Sequence, residues 1–237
     1  MTATEHAGGE RSDDHGRPPR LRRRLAHLTA AVVVAALVAA CSPTTSTALT
    51  ATGLAPQADG WRGVPLAEQR DLPDVVLLDT DDAPFALRDE LIGTPTLLFF
   101  GYTNCPDVCP IHMAAITAAM RLTDVTFDDL DVVFVSVDPD RDTPARIDEW
   151  LRNFDTRIIG LHEDLDVIAV ALDALRMPGP VIEGPDPRGE GDLIGHPAQV
   201  LGFDAQGRAL RAWPFGTRRS DWVLDLPRIV EEWSTQP

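Results

Sequence analysis

The sequence predicts one α/β domain, a central mixed sheet flanked by helices, carried behind an N-terminal export leader. Three observations predict the domain. Short apolar runs alternate with helical segments through the middle of the chain, two further apolar runs flank a Gly-containing turn, and an amphipathic segment closes the chain. With 237 residues and 44% hydrophobic content, the chain suffices for one mid-sized domain plus a targeting segment, and two full domains are not expected.

Residues 75–78 (VVLL) and 96–102 (TLLFFGY) are bounded by Asp, Gly and Pro, which suits buried strands of a sheet covered on both faces. A helix is expected after each later strand: 107–122 after TLLFFGY, 144–154 after VVFVSV at 132–137, and 165–175 after the run at 158–161. Strand–helix alternation of this kind argues for parallel neighbours. Thr143-Pro144 is a good helix start, with Thr as cap and Pro at the first position, where its missing N–H costs nothing. Residues 200–203 and 209–213 flank Asp204-Ala205-Gln206-Gly207 and read as an antiparallel hairpin. Trp222, Leu226, Ile229, Val230 and Trp233 share one face of a last helix, with a kink expected at Pro227. A βαβ half followed by a hairpin and a helix is the thioredoxin-like arrangement, here with an N-terminal extension and an extra unit between the halves.

The leader has its own pattern. RPPRLRRR at 17–24 precedes an apolar run at 28–40, after which the chain turns polar, as in a signal peptide over residues 1–40. The run is shorter than the roughly 20 residues needed to span a bilayer. Val38-Ala39-Ala40-Cys41 is similar to a bacterial lipobox, so Cys41 is expected to become the acylated first residue of a lipoprotein. Residues 41–60, rich in Ser, Thr, Ala, Gly and Pro, read as a flexible tether, with the folded domain occupying 61–237.

The formal net charge is −16, every basic residue is Arg, and the first 40 residues hold six of these against only four acids. The remainder is therefore more acidic still, which disfavours a nucleic-acid partner and leaves membrane attachment to the lipid anchor rather than to a basic patch.

GYTNCPDVCP at 101–110 sets Cys105 and Cys109 four residues apart where a strand gives way to a helix. A helix N-terminus favours thiolate over thiol, and residues i and i+4 of a helix lie on one face, so both sulfurs can meet one ion. Pro106 and Pro110 stiffen the turns that carry them. A plain stabilising disulfide is the competing reading, disfavoured because so short a loop removes little unfolded-state entropy. Two thiolates suit Cu(I), Zn or an iron–sulfur cluster, but another ligand must complete the site. Outside the leader the histidines are His112, His162 and His196, and His196 stands out because it sits in a Gly/Pro-rich loop, 177–197, just before the final hairpin.

YTNCPDVCP at 102–110, VSVDPDRDTP at 135–144 and His196 ahead of the last hairpin together resemble the Sco/SenC family, over about residues 61–233. The resemblance implies a thioredoxin-like domain on the extracytoplasmic face of the bacterial cytoplasmic membrane. There it carries Cu(I) or Cu(II) to the copper-accepting subunit of cytochrome c oxidase, whose binuclear copper site it helps to mature. It implies Cys105, Cys109 and His196 as copper ligands. Asp138 and Asp142 match acidic positions of the second string and are read as shaping the loop, not as ligands. Gly195 and Pro197 depart from the Asp and Ser or Thr that commonly flank this histidine in the family, and the segment EGPDPRGEGD at 183–192 is unusually acidic.

Two enzymatic readings compete with the metallochaperone. Cys105 and Cys109 could form a redox-active pair in a thiol:disulfide oxidoreductase, or Cys105, with Thr103 near it, could attack peroxide as in peroxiredoxins. Three residues between the cysteines, where thioredoxin-type reductases have two, and a histidine facing the pair favour copper.

Overall fold

A computed structural model describes residues 55–234. The signal peptide expected over 1–40, Cys41 and most of the expected tether lie outside them. Eight strands, β1 (Val64–Asp71), β2 (Val76–Asp79), β3 (Pro84–Ala86), β4 (Thr96–Gly101), β5 (Asp131–Ser136), β6 (Ile159–His162), β9 (Gln199–Phe203) and β10 (Arg208–Pro214), form one sheet in the order β1-β10-β9-β4-β5-β6-β2-β3. Strands β7 (Val181–Pro185) and β8 (Asp192–Gly195) form a separate two-stranded ribbon. The helices are α1 (Leu87–Leu91), α2 (Val108–Met120), α3 (Pro144–Leu151), α4 (Leu165–Ala174) and α5 (Arg219–Trp233).

The middle of the sheet is where the apolar runs lead. β4 runs parallel to β5 and β5 to β6, each pair joined through a helix, while β9 adds antiparallel to the other side of β4. Every residue of β4 is buried, as are Val132 to Ser136 of β5 and Val200 to Phe203 of β9, so these strands read as continuous apolar runs because both of their faces are covered. Thr143 caps α3 by accepting from the Arg146 amide at 3.3 Å, with Pro144 at the first helical position. The hairpin β9–β10 turns at Gly207, whose φ of +78° suits glycine, and Asp204 Oδ1 accepts from the Gln206 and Arg208 amides to hold the turn.

The run at 75–78 is a correction. β2 pairs antiparallel with both β3 and β6, near the sheet edge, and Val76 is exposed, so it is a strand but not one covered on both faces. An apolar tetrapeptide carries no signal of strand direction; that is decided by the pairing with β6. β1 was not expected either, because its mostly exposed residues, VPLAEQRD, lack apolar alternation; pairing with β10 makes it a strand.

The two ends of the described segment meet through aromatic stacking. Trp61 stacks on Trp233 with centroids 5.3 Å apart, and Trp213 stacks on Trp222 at 4.8 Å, contacts worth about 0.5–1.5 kcal/mol each beyond their burial. The fully buried Asp225 of α5 accepts from the Gly63 amide at 2.8 Å, the Arg62 amide at 3.0 Å and Trp213 Nε1 at 2.8 Å, which fastens residues ahead of β1 to the last helix. Ahead of Trp61, within the expected tether, Gln57 to Gly60 make a turn and Asp59 pairs with Arg211. The final helix continues through Pro227, and its apolar face buries Trp222, Leu226, Ile229 and Trp233.

Candidate metal centre

β4 delivers the cysteine segment to the C-terminal edge of the parallel strands. The chain turns there, with the Cys105 amide donating to the Tyr102 carbonyl at 3.2 Å, and enters α2 after Asp107, whose carboxylate accepts from the Val108 amide at 2.6 Å. Cys109 is therefore in the first helical turn, but Cys105 precedes the helix. The two sulfurs converge not as i and i+4 of one helical face but because the turn folds Cys105 over the helix N-terminus, where the Cys109 amide points at its sulfur at 3.5 Å. Both cysteines are buried and free, with no disulfide between them.

His196 arrives from the other side, one residue beyond β8 and three before β9. Its Nε2 lies 3.4 Å from Cys109 Sγ and 3.7 Å from Cys105 Sγ. The three donor atoms all lie within 4.8 Å of one another. Nδ1 is 3.2 Å from the Pro197 carbonyl, which can only accept, so Nδ1 carries a proton and Nε2 is the ring nitrogen directed at the sulfurs. Pro197 thus supplies through its backbone a partner for the ring, and Tyr102 and Phe99 meet the imidazole edge-on at centroid distances of 5.5 and 5.8 Å.

The sulfurs differ in charge. The hydrogen bond from the Cys109 thiol, against the opposing effect of burial, holds Cys105 down to about 4, so it is a thiolate at neutral pH. Burial pushes Cys109 well above the ordinary thiol value and keeps the proton on it. Cys105 lines a cleft of about 290 Å³ between the start of α2 and the β7–β8 ribbon, so the charged sulfur is the one that faces an incoming group. Two sulfurs and an imidazole nitrogen converging in one buried spot fit a soft, thiophilic ion; binding one displaces the remaining thiol proton.

The acidic string packs behind this turn. Asp142, buried, accepts from the Thr103 amide at 2.9 Å, the Thr103 hydroxyl at 2.5 Å and the Ser136 hydroxyl at 2.6 Å. It thereby ties the end of β5 to the turn that carries Cys105. Thr103 also accepts from Arg146 Nε at 2.7 Å, so its hydroxyl is committed on both sides rather than held toward a peroxide above Cys105. Asp138 pairs with Arg141 at 2.5 Å, and burial raises its carboxyl despite that partner. Neither aspartate joins the donor cluster.

The other histidines sit elsewhere. His162 ends β6 with Nε2 3.1 Å from the Asp79 carbonyl, while His112 is fully buried on α2, its Nε2 3.3 Å from the Ala198 carbonyl and its ring against Phe99. Burial lowers the pKa of His112 and keeps it neutral.

Most of the segment expected to be a loop before His196 is the β7–β8 ribbon. Its tip docks on the cysteine turn: Asn104 Nδ2 and Arg141 Nη1 donate to the Glu190 carbonyl at 3.0 and 2.9 Å, and Arg188 Nη2 donates to the Asn104 carbonyl at 2.6 Å. The strands are short and Val181 and Ile182 are exposed, so no buried alternation announced them; the Pro-Asp-Pro-Arg-Gly turn between two apolar pairs was the available signal.

The SCO1/SenC family model matches residues 70–231. The chain belongs to that family. Among SCO1/SenC relatives, a SCO2-like protein of Rickettsia felis is 30% identical over 138 residues, covering 58% of this chain and 66% of its own length. A protein of Stutzerimonas stutzeri described as a putative copper-binding protein is 32% identical over 114 residues, covering 48% of this chain and 55% of its own. The copper-bound structure of Bradyrhizobium japonicum ScoI is 30% identical with a TM-score of 0.56, covering 70% of this chain and 98% of that one. With apo Sco1 of Thermus thermophilus the identity is 25%, the TM-score 0.60, and the coverage 71% and 96%. The fold is accordingly the thioredoxin-like one of the Sco proteins, a mixed central sheet flanked by helices.

Proposed function

We propose that this chain is a copper metallochaperone, held by a lipid on Cys41 at the extracytoplasmic face of the bacterial cytoplasmic membrane. It binds Cu(I) or Cu(II) through Cys105, Cys109 and His196, and delivers the ion to the copper-accepting subunit of cytochrome c oxidase or prepares that subunit's cysteines. The observation that carries the reading is the convergence of three donor atoms of the right softness in a chain of this family. The Cys105 thiolate needs no deprotonation before it engages a metal, and the cleft beside it admits an acceptor's ligands for stepwise exchange. Among the described residues no helix is long and apolar enough to cross a membrane, and the leader and the Cys41 lipobox supply the attachment in this reading.

Copper titration of the purified, reduced protein with ligand-sensitive spectroscopy tests it. Stoichiometric binding is expected, lost in Cys105→Ser and in Cys109→Ser. His196→Ala should weaken it by at least roughly 10- to 100-fold, the loss typical of removing even an outer partner of a metal ligand. Unchanged binding in any of the three refutes the ligand set. A thiol:disulfide role at the same site draws on the asymmetric charge of the pair. The Cys105 thiolate attacks an acceptor disulfide, releasing one acceptor sulfur as thiolate and forming a mixed disulfide; Cys109 then passes its proton to that thiolate and closes the Cys105–Cys109 bond, releasing the second acceptor sulfur as thiolate.

A further inference from the structure

The cysteine segment and the histidine segment are clasped to each other at two points that the ligands themselves do not make. Tyr102 precedes Cys105 by three residues, and its hydroxyl accepts from the Ile194 amide at 3.2 Å, two residues before His196. His112 follows Cys109 by three residues, and its Nε2 lies 3.3 Å from the carbonyl of Ala198, two residues after His196. Since a carbonyl accepts only, Nε2 of His112 carries the proton and donates. Both side chains are deeply placed, Tyr102 2% exposed and His112 fully buried, and each reaches a partly buried backbone group of the histidine segment.

We propose that Tyr102 and His112 are positioning residues for His196, a pair of clasps that set the distance between the imidazole and the two sulfurs. The histidine lies in the three-residue connection between β8 and β9, outside the ladder registers of both strands. Pro197 fixes the tautomer of the ring but, being its neighbour in the chain, says nothing about where the ring stands relative to α2. The clasps supply that. They flank the histidine on both sides, and each arises from the element that carries a sulfur, so any movement of the cysteine turn or of α2 carries the histidine with it. Phe99 adds a wall common to both, since its ring meets His112 at a centroid distance of 5.1 Å and His196 at 5.8 Å.

The inference rests on the copper reading above, and the test separates the two. Tyr102→Phe removes only the hydroxyl that receives the Ile194 amide and keeps the ring against His196, while His112→Leu removes the donor to Ala198. Copper affinity of the reduced protein should fall roughly 10-fold in each, as for other partners outside a metal's ligand set, and His112→Gln, which keeps an N–H donor, should recover most of it. The deciding arm repeats both substitutions in a His196→Ala background, where clasps that act through His196 have nothing left to position and should change affinity little further. An equal loss in both backgrounds, or no loss in the native background, overturns the proposal. If His196→Ala alone leaves copper affinity unchanged, the ligand assignment has failed instead. The clasps are then decided by amide hydrogen exchange of Gly195 and His196 in the metal-free protein, which should quicken about 10-fold in Tyr102→Phe and in His112→Leu, and whose constancy refutes them.

Discussion

Gly101 ends β4 with its α-carbon facing the site, and replacing it with alanine tests how tightly the Cys109 sulfur is held. A Cβ there would stand 2.7 Å from Cys109 Sγ and 2.9 Å from ring carbons of both Phe99 and Phe134. Non-bonded carbons pack at about 3.5–4.0 Å, so all three neighbours are too close. The two rings are fully buried in adjacent strands and cannot retreat together, which leaves the sulfur and the first turn of α2 to move. Overpacking of this kind costs about 1–3 kcal/mol. For a domain of this size a loss of about 2 kcal/mol lowers Tm by roughly 4–8 °C. Gly101→Ala should therefore show that loss in urea unfolding and, because the displaced sulfur belongs to the proposed donor set, a fall in copper affinity of the reduced protein. A variant with native Tm and native affinity would refute the claim that the missing side chain is what makes room for the sulfur.

The asymmetry of the thiols predicts that Cys105 contributes thiolate absorbance, seen as the difference between the native protein and Cys105→Ser, down to a midpoint near about 4, with Cys109 ionising only in alkali. Because the folded value of Cys105 lies below the ordinary thiol value, its linked stability is fully present above about 8.5 and is lost as pH falls through about 4. Asp225→Ala strands the Gly63 amide and the Trp213 indole in the interior and should cost about 2–5 kcal/mol in urea unfolding without altering the donor cluster; a loss below 1 kcal/mol, by the scale of unpaired buried donors, would contradict that account. Mass spectrometry of the membrane-extracted protein should find Cys41 as an acylated first residue, and a different N-terminus or an unmodified Cys41 would remove the anchor from the proposal.

The sequence by itself determined the interior of the fold and singled out the three side chains that the structure brings together. β4, β5 and β9 are legible because strands covered on both faces must be apolar throughout, and α3 because Thr143-Pro144 states where it starts. Cys105, Cys109 and His196 were legible because few residue types bind soft metals and the chain uses them sparingly. Spacing, however, implied the wrong mechanism for the cysteine pair: Cys105 lies ahead of α2, and its approach to Cys109 follows from the turn after β4. Only the tertiary structure decided which cysteine holds the proton, since that depends on how deeply each sulfur is buried against the other. It also decided the direction of β2, the existence of β1 and of the β7–β8 ribbon, and the clasps from Tyr102 and His112. These depend on hydrogen bonds between residues 80 to 150 positions apart in the chain or on partly exposed strands, and neither leaves a periodic trace in the residues that make them.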